Sequence, residues 1–115
     1  MNRELDAWIA QYVMEIQGVM IDPTDGEALY RASPPMLGWN FVPNYSSDIS
    51  AAFKVVEKLS YEGAIVIIKS DGLRKIGAPR YTIIINNERV DHDNLPMAIC
   101  LAVKTYHINN SGYTV

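Results

Sequence analysis

Residues 46–68 read SSDISAAFKVVEKLSYEGAIVII, a helical pattern that runs into a strand pattern, and this stretch decides the fold class. The helix is predicted to begin at Ser46 or Ser47, because either hydroxyl can accept a hydrogen bond from a free amide of the first turn. Asp48 adds a negative charge that suits a helix amino terminus. Apolar residues then recur at helical spacing, at Ile49, Ala52, Phe53, Val56 and Leu59.

A strand pattern follows this helix. Residues 64–68 are apolar at every position and rich in β-branched side chains, and the run is too short for a stable helix. It predicts a central strand that is covered on both faces. Residues 81–85 form a second β-rich run, and Asn86-Asn87 predicts a turn into a short antiparallel partner at residues 88–91.

Helices are also predicted near both ends of the chain. Apolar residues at helical spacing follow Asn2, a capping residue, and this first helix is expected to end at Gly18. The last helix follows a second cap, Asn94, and can hold Pro96 in its first turn. The chain therefore alternates helical and β-rich segments.

A proline-rich segment separates the first two helices. Residues 22–45 carry four of the six prolines, and a structureless connection of this length is unusual in a compact domain. Short strands are therefore expected within or beside it, at residues 19–21, 27–31 and 38–42. The complete order predicts an α+β fold, an α/β/α sandwich with a small, mainly antiparallel sheet and three helices.

Composition limits the classes of protein to which the chain can belong. Its 115 residues suffice for one hydrophobic core, so a single domain at residues 1–108 and a loose tail at 109–115 are expected. A net charge of -3 argues against a protein that coats nucleic acid through bulk charge. Cys100 is the only cysteine, which excludes an internal disulfide. The longest uncharged stretch, residues 32–47, is broken by prolines and is not a membrane span, so a cytoplasmic location is expected.

Three stretches taken together resemble a known family. They are residues 12–14 (YVM), residues 45–59 (YSSDISAAFKVVEKL), which are the most specific, and residues 95–102 (LPMAICLA). They look like the phage ABA sandwich domain, which implies a layered α/β/α domain carried by bacteriophages and prophages. The resemblance brings no known reaction and no functional residue. Relatives tend to carry more tryptophan after the first helix, where this chain has residues 17–20 (QGVM), so a ligand surface there would differ in specificity.

A basic hairpin is the first candidate binding site. Lys69, Arg74, Lys75 and Arg80 place four of the ten basic residues within twelve positions. Arginine forks and the backbone amides of a glycine-containing turn can both donate to phosphates, although the spacing matches no phosphate-loop motif. The same charges can instead protect an exposed sheet edge from pairing with another chain.

Aromatic and polar residues of the proline-rich segment form the second candidate. They are Tyr30, Arg31, Trp39, Asn40 and Tyr45. Aromatic rings and arginine planes can stack on a nucleobase, and asparagine can read its edge. The same aromatic side chains can equally cover one face of the sheet as packing groups.

Catalysis and metal binding find little support in the sequence. Asp91-His92-Asp93 is better explained as a turn before a helix than as a set of metal ligands, since adjacent strand residues point to opposite faces. His107 is the only other histidine. Cys100 lies in an apolar helix and is expected to be a buried small hydrophobic residue. No catalytic residue, metal or cofactor is therefore predicted, and the chain is not expected to be an enzyme.

The sequence thus favours a non-catalytic bacteriophage binding protein. Its predicted role is to inhibit a bacterial defence system, either by occluding a host protein or by sequestering a signalling nucleotide. The alternative is a nucleic-acid-associated phage accessory protein that uses the basic hairpin against the phosphate backbone. No membrane partner is expected, whereas an open sheet edge would allow a homodimer.

Overall fold

The computed structural model describes residues 2–31, 38–70 and 80–110, which form three helices and six strands. The helices are α1 (Arg3–Trp8), which continues as a π-helical segment at Ile9–Val13, α2 (Ile49–Tyr61) and α3 (Leu95–Asn110). The strands are β1 (Met20–Ile21), β2 (Ala28–Arg31), β3 (Trp39–Phe41), β4 (Val66–Ser70), β5 (Tyr81–Ile85) and β6 (Glu88–His92). They form two antiparallel sheets, β1-β2-β3 and β4-β5-β6. The α+β fold is confirmed, with the strands divided between two sheets.

The first helix begins at its predicted cap and ends earlier than predicted. The Oδ1 atom of Asn2 accepts a hydrogen bond from the amide of Leu5 over 3.0 Å. At the other end, the Met14 amide donates to the Ile9 carbonyl over 2.9 Å, a span of five residues that widens the helix into a π turn. The helical backbone stops at Val13 rather than at Gly18.

Gly18 has a different role from the one expected. Its φ is +73°, and a Cβ built on it would lie 3.1 Å from the Cβ of Arg31 in β2. The absence of a side chain therefore lets the segment before β1 pass close to the end of β2.

The proline-rich segment supplies the strands that the sequence predicts. In this first sheet the central strand is β2, where Leu29 lies opposite Met20 on one side and Phe41 on the other. Ala28 is fully buried, and Val42, just after β3, is nearly so. One face of this sheet therefore packs against the core.

The second sheet corrects the expectation for residues 64–68. The central strand is β5, whose Ile83 and Ile85 are fully buried, whereas β4 lies at the edge of the sheet that the described residues form. Ile65, just before β4, is 67% exposed and Ile67 is 42% exposed. The run is therefore covered on one face only. The turn at Asn86-Asn87 and the partner strand β6 are confirmed.

The core lies where the helices meet β5 and β6. α3 packs against both strands and against α2 and the π-helical segment. The fully buried apolar residues include Ile9, Val55, Ile83, Ile85, Ile99 and Val103. No helix in the described ranges is long and apolar enough to cross a bilayer.

The entry to α2 is built differently from the predicted serine cap. Asp48 is the cap, since its Oδ1 accepts from the Ser50 amide over 3.0 Å. Ser46 is instead buried, where its hydroxyl exchanges hydrogen bonds of 3.2 Å with the backbone of Asn2. The Ser46 amide donates to Asp6 Oδ1 over 2.7 Å. This serine therefore fixes α1 to the chain that leads into α2.

A single arginine ties α1 to the first sheet. Arg3 forms ion pairs with the buried Asp6 over 2.7 Å and with Glu27 over 2.6 Å. Its guanidinium also donates to the carbonyl of Val42 over 2.7 Å and to Oδ1 of Asn44 over 2.6 Å. One nearly buried side chain thus joins three segments that are distant in sequence.

Candidate binding surface

The outer face of the first sheet carries exposed aromatic side chains next to a basic group. Arg31 lies opposite Trp39 in the ladder, with its Cζ atom 5.8 Å from the centre of the tryptophan ring. Trp39 is 50% exposed and Phe41 is 71% exposed. Strand alternation places Leu29 and Met20 on this same face. We call these five residues the aromatic sheet face.

The other predicted residues of this segment differ in exposure, since Asn40 is exposed whereas Tyr30 and Tyr45 are partly or fully buried. Tyr30 lies opposite Asn40 on the face that packs toward the core, and Tyr30 is partly buried. Tyr45 is only 2% exposed, and its burial raises the pKa of the phenol to about 12. Tyr45 therefore serves as a packing group of the core and offers no ring to a partner. The structure separates the predicted set into the exposed Arg31, Trp39 and Asn40 and the more buried Tyr30 and Tyr45.

Part of the predicted basic hairpin falls in the described chain. Lys69 lies near the end of β4 and Arg80 immediately before β5, where the ladder places Ser70 opposite Tyr81, so both cations are at the same end of the second sheet. Arg80 Cζ lies 6.0 Å from the centre of the Tyr81 ring. Arg74 and Lys75 lie outside the described residues.

An acidic group stands next to these cations. The Thr82 hydroxyl donates to Asp91 Oδ1 over 2.5 Å, and this hydrogen bond lowers the pKa of the carboxyl. Arg89 pairs with the same oxygen over 3.2 Å. Thr82 lies opposite Lys69, so the described part of this surface carries mixed rather than purely positive charge.

A cleft between the ends of the three helices was missed by the sequence analysis. Its volume is about 230 Å³, and it is lined by Tyr12, Val13, Glu15, Leu59, Glu62, Ala64, Tyr106, His107 and Asn110. Lys58 reaches both carboxylates at its rim, at 3.7 Å from Glu15 and 3.2 Å from Glu62. The Trp8 ring contacts two of these lining residues, Tyr12 in a tilted arrangement with ring centres 5.2 Å apart and His107 edge to face at 5.4 Å. The sequence contains Tyr12 and His107, but it does not predict that they line the same cleft, because this depends on how the helices pack.

The residues considered for catalysis or metal binding have structural roles. Nδ1 of His92 accepts from the Asn94 amide over 2.9 Å, and Asn94 in turn caps α3 by accepting from Met97 over 3.0 Å. Cys100 is fully buried, and burial raises the pKa of its thiol to about 12. No group of three potential metal ligands forms within residues 2–31, 38–70 and 80–110.

Comparison with known proteins places this fold in a family. The model of the phage ABA sandwich domain matches residues 7–103. The chain belongs to this family. Its fold is similar to that of a phage protein from Bacillus cereus ATCC 14579, solved at 2.0 Å, with a TM-score of 0.62 and 24% sequence identity over 89% of this chain and 87% of that chain. A search of curated proteins found no significant match.

Proposed function

We propose that this phage ABA sandwich domain is a non-catalytic binding protein that inhibits a bacterial defence system in the host cytoplasm. It acts by occluding a host protein or by sequestering a signalling nucleotide. The observation that carries the proposal is the aromatic sheet face, where half-exposed Trp39 and largely exposed Phe41 stand beside Arg31. Membership of a phage family supplies the biological setting.

The composition of this face supports binding rather than packing. Tryptophan and arginine are enriched among the residues that dominate binding energy at interfaces. Contiguous exposed apolar patches that are rimmed by polar residues mark interaction sites, and this composition therefore favours a role in recognition. A tryptophan face with an adjacent guanidinium can hold either a protein side chain or a planar base.

The chemistry of the remaining residues supports a mechanism without turnover. The single thiol is buried in its protonated state, and His92 is engaged in the turn before α3. The thiol is therefore unreactive, and the Nδ1 atom of His92 is used in a structural hydrogen bond. Occlusion or sequestration requires only affinity, which a rigid sheet surface can provide.

Affinity capture from phage-infected host lysate tests the proposal. Mass spectrometry would detect captured proteins and small nucleotides from the same eluate, and wild type would be compared with Trp39→Ala and Tyr61→Ala. Tyr61 is a matched control, since it is an aromatic residue on α2 that is 96% exposed. We expect a target that is lost with Trp39→Ala and kept with Tyr61→Ala. Capture that is equal for all three proteins would refute a role of the aromatic sheet face.

A nucleic-acid-associated role is the second candidate, and the placement of Lys69 and Arg80 at one end of the second sheet favours it. Its test is a binding isotherm with DNA and RNA at two salt concentrations. Several phosphate contacts would make the affinity fall steeply as salt rises, because counterions are released on binding. An absence of binding at low salt would eliminate this candidate.

A further inference from the structure

The second sheet has a free edge along β4 among the described residues. β4 pairs with β5 on one side, and within the described ranges no strand pairs with its other side. The side chains next to this edge are unusual, since Ile65 and Ile67 are 67% and 42% exposed. Edge strands are normally protected by charge, proline or a bulge, but Lys69 is the only charged residue of β4, and residues 64–68 contain neither a charged residue nor a proline.

The hydrogen bonds at the start of β4 fix which backbone groups face the free edge. The Asn86 amide donates to the Ile65 carbonyl over 2.9 Å, and the Ile65 amide donates to Asn86 Oδ1 over 3.0 Å. Both polar backbone groups of Ile65 therefore point toward β5. In an antiparallel strand, successive residues point their amide and carbonyl groups alternately to one neighbouring strand and to the other. The amide and carbonyl groups of Val66 and Ile68 therefore point away from β5, toward the free edge.

We propose that two copies of this chain associate through antiparallel pairing of their β4 strands, with the two-fold axis at Ile67. In this register Val66 of one copy lies opposite Ile68 of the other. The two residues form a hydrogen-bonded pair, in which the amide of each donates to the carbonyl of the other. Ile67 meets its own copy as a non-hydrogen-bonded pair, the arrangement in which side chains approach most closely.

The flanking positions also suit this register. Ile65 lies opposite Lys69 of the second copy, where the aliphatic stem of the lysine can cover the isoleucine while its charge stays in water. The two sheets then join into one of six strands, an ordinary size for a protein sheet. A second copy is the occupant favoured here because this register brings the exposed Ile67 side chains of the two strands together and covers Ile65 with the stem of Lys69.

Sedimentation of the full chain tests the association. At high protein concentration, the measured mass of the wild type is expected to be twice that of the 12.9 kDa chain. Ile67→Lys places two like charges directly opposite each other and is expected to weaken the dimer by about tenfold or more. Phe53→Lys is the matched control, because Phe53 is an apolar residue of α2 with 41% exposure. A mass of 12.9 kDa at every concentration would overturn the proposal, as would a dimer indifferent to Ile67→Lys.

Disulfide trapping tests the register separately. Ile67→Cys places two thiols across a non-hydrogen-bonded pair with a Cα separation of about 4.5 Å, within the range that a disulfide spans. Ile65→Cys is the control, since it lies opposite Lys69 and far from its own copy. We expect a covalent dimer with Ile67→Cys alone, and the buried Cys100 does not interfere. Equal trapping of Ile65→Cys would contradict the proposed register.

Discussion

At the residue scale, the position of α1 depends on one charged cluster. Asp6 is fully buried, and its two carboxylate oxygens are used by the Arg3 guanidinium and the Ser46 amide. A buried ion pair is not by itself strongly stabilising, because both charges lose their hydration. Its importance is that removal of one partner leaves the other charged and unpaired in the protein interior.

Arg3→Ala should therefore lower the free energy of unfolding by about 3 kcal/mol, because it leaves the buried Asp6 carboxylate without its counter-ion and removes the hydrogen bond of 2.7 Å to the Val42 carbonyl. The matched control is Arg89→Ala, which breaks an ion pair with Asp91 whose arginine is 65% exposed. The control should cost less than about 1 kcal/mol, as exposed pairs do. Urea denaturation measures both, and equal losses for the two variants would show that the Arg3 cluster is not structural.

A second prediction concerns alkaline pH. Burial raises the pKa of Tyr45 from 10.0 to about 12 and that of Cys100 from 9.0 to about 12. The folded chain therefore retains protons that the unfolded chain releases, so stability should be complete below pH 9 and fall as the pH rises from there toward 12. Urea denaturation across this range measures the decline. Tyr45→Phe should make the decline shallower, and an unchanged slope in this variant would contradict the assignment to Tyr45.

At the element scale, the first sheet shows how much the sequence could predict. Residues 27–31 and 38–42 were identifiable as strands because β-prone residues alternate within a segment too long to be a plain loop. The pairing of Arg31 with Trp39 was not identifiable, since register depends on contacts between strands. The sequence could thus predict that aromatic and basic residues occur in this segment, but not which of them lie together on the exposed face of the sheet.

The second sheet shows why some predictions fail. A run of apolar β-branched residues predicts burial on both faces, yet Ile65, just before β4, and Ile67 within it are exposed. The pattern of apolar residues in a sequence indicates that a strand is hydrophobic, but it does not indicate whether that strand lies at the centre or at the edge of its sheet. The serine cap fails for a related reason, because the Ser46 hydroxyl is used by Asn2, a residue that is distant in sequence.

The close passage of the segment before β1 along β2 gives a prediction for two glycines. Gly18 and Gly26 have nearly equal φ values of +73° and +72°, so alanine at either should cost about 1 kcal/mol of backbone strain. Gly18→Ala should cost more, because its Cβ would lie 3.1 Å from Arg31, whereas Gly26→Ala meets nothing within 4 Å. Thermal or urea denaturation measures the difference. Equal destabilisation of the two variants would contradict a close approach at Gly18.

At the scale of the whole molecule, the two sheets offer two separate surfaces. The first sheet carries the aromatic sheet face, and the second carries the free edge of β4. The aromatic sheet face lies in a different sheet from β4, so the inferred dimer would carry two copies of the proposed binding surface. Two linked copies bind a multivalent target more tightly than either alone.

The proposed inhibition of host defence is tested most directly by plaque formation. A phage lacking this gene would be plated on a panel of hosts that each carry one defence system, with the wild-type chain, Trp39→Ala or Tyr61→Ala supplied from a plasmid. We expect the wild type and Tyr61→Ala to restore plaques on at least one defended host, and Trp39→Ala to fail there while accumulating normally. Full restoration by Trp39→Ala, or no restoration by the wild type on any defended host, would contradict the account.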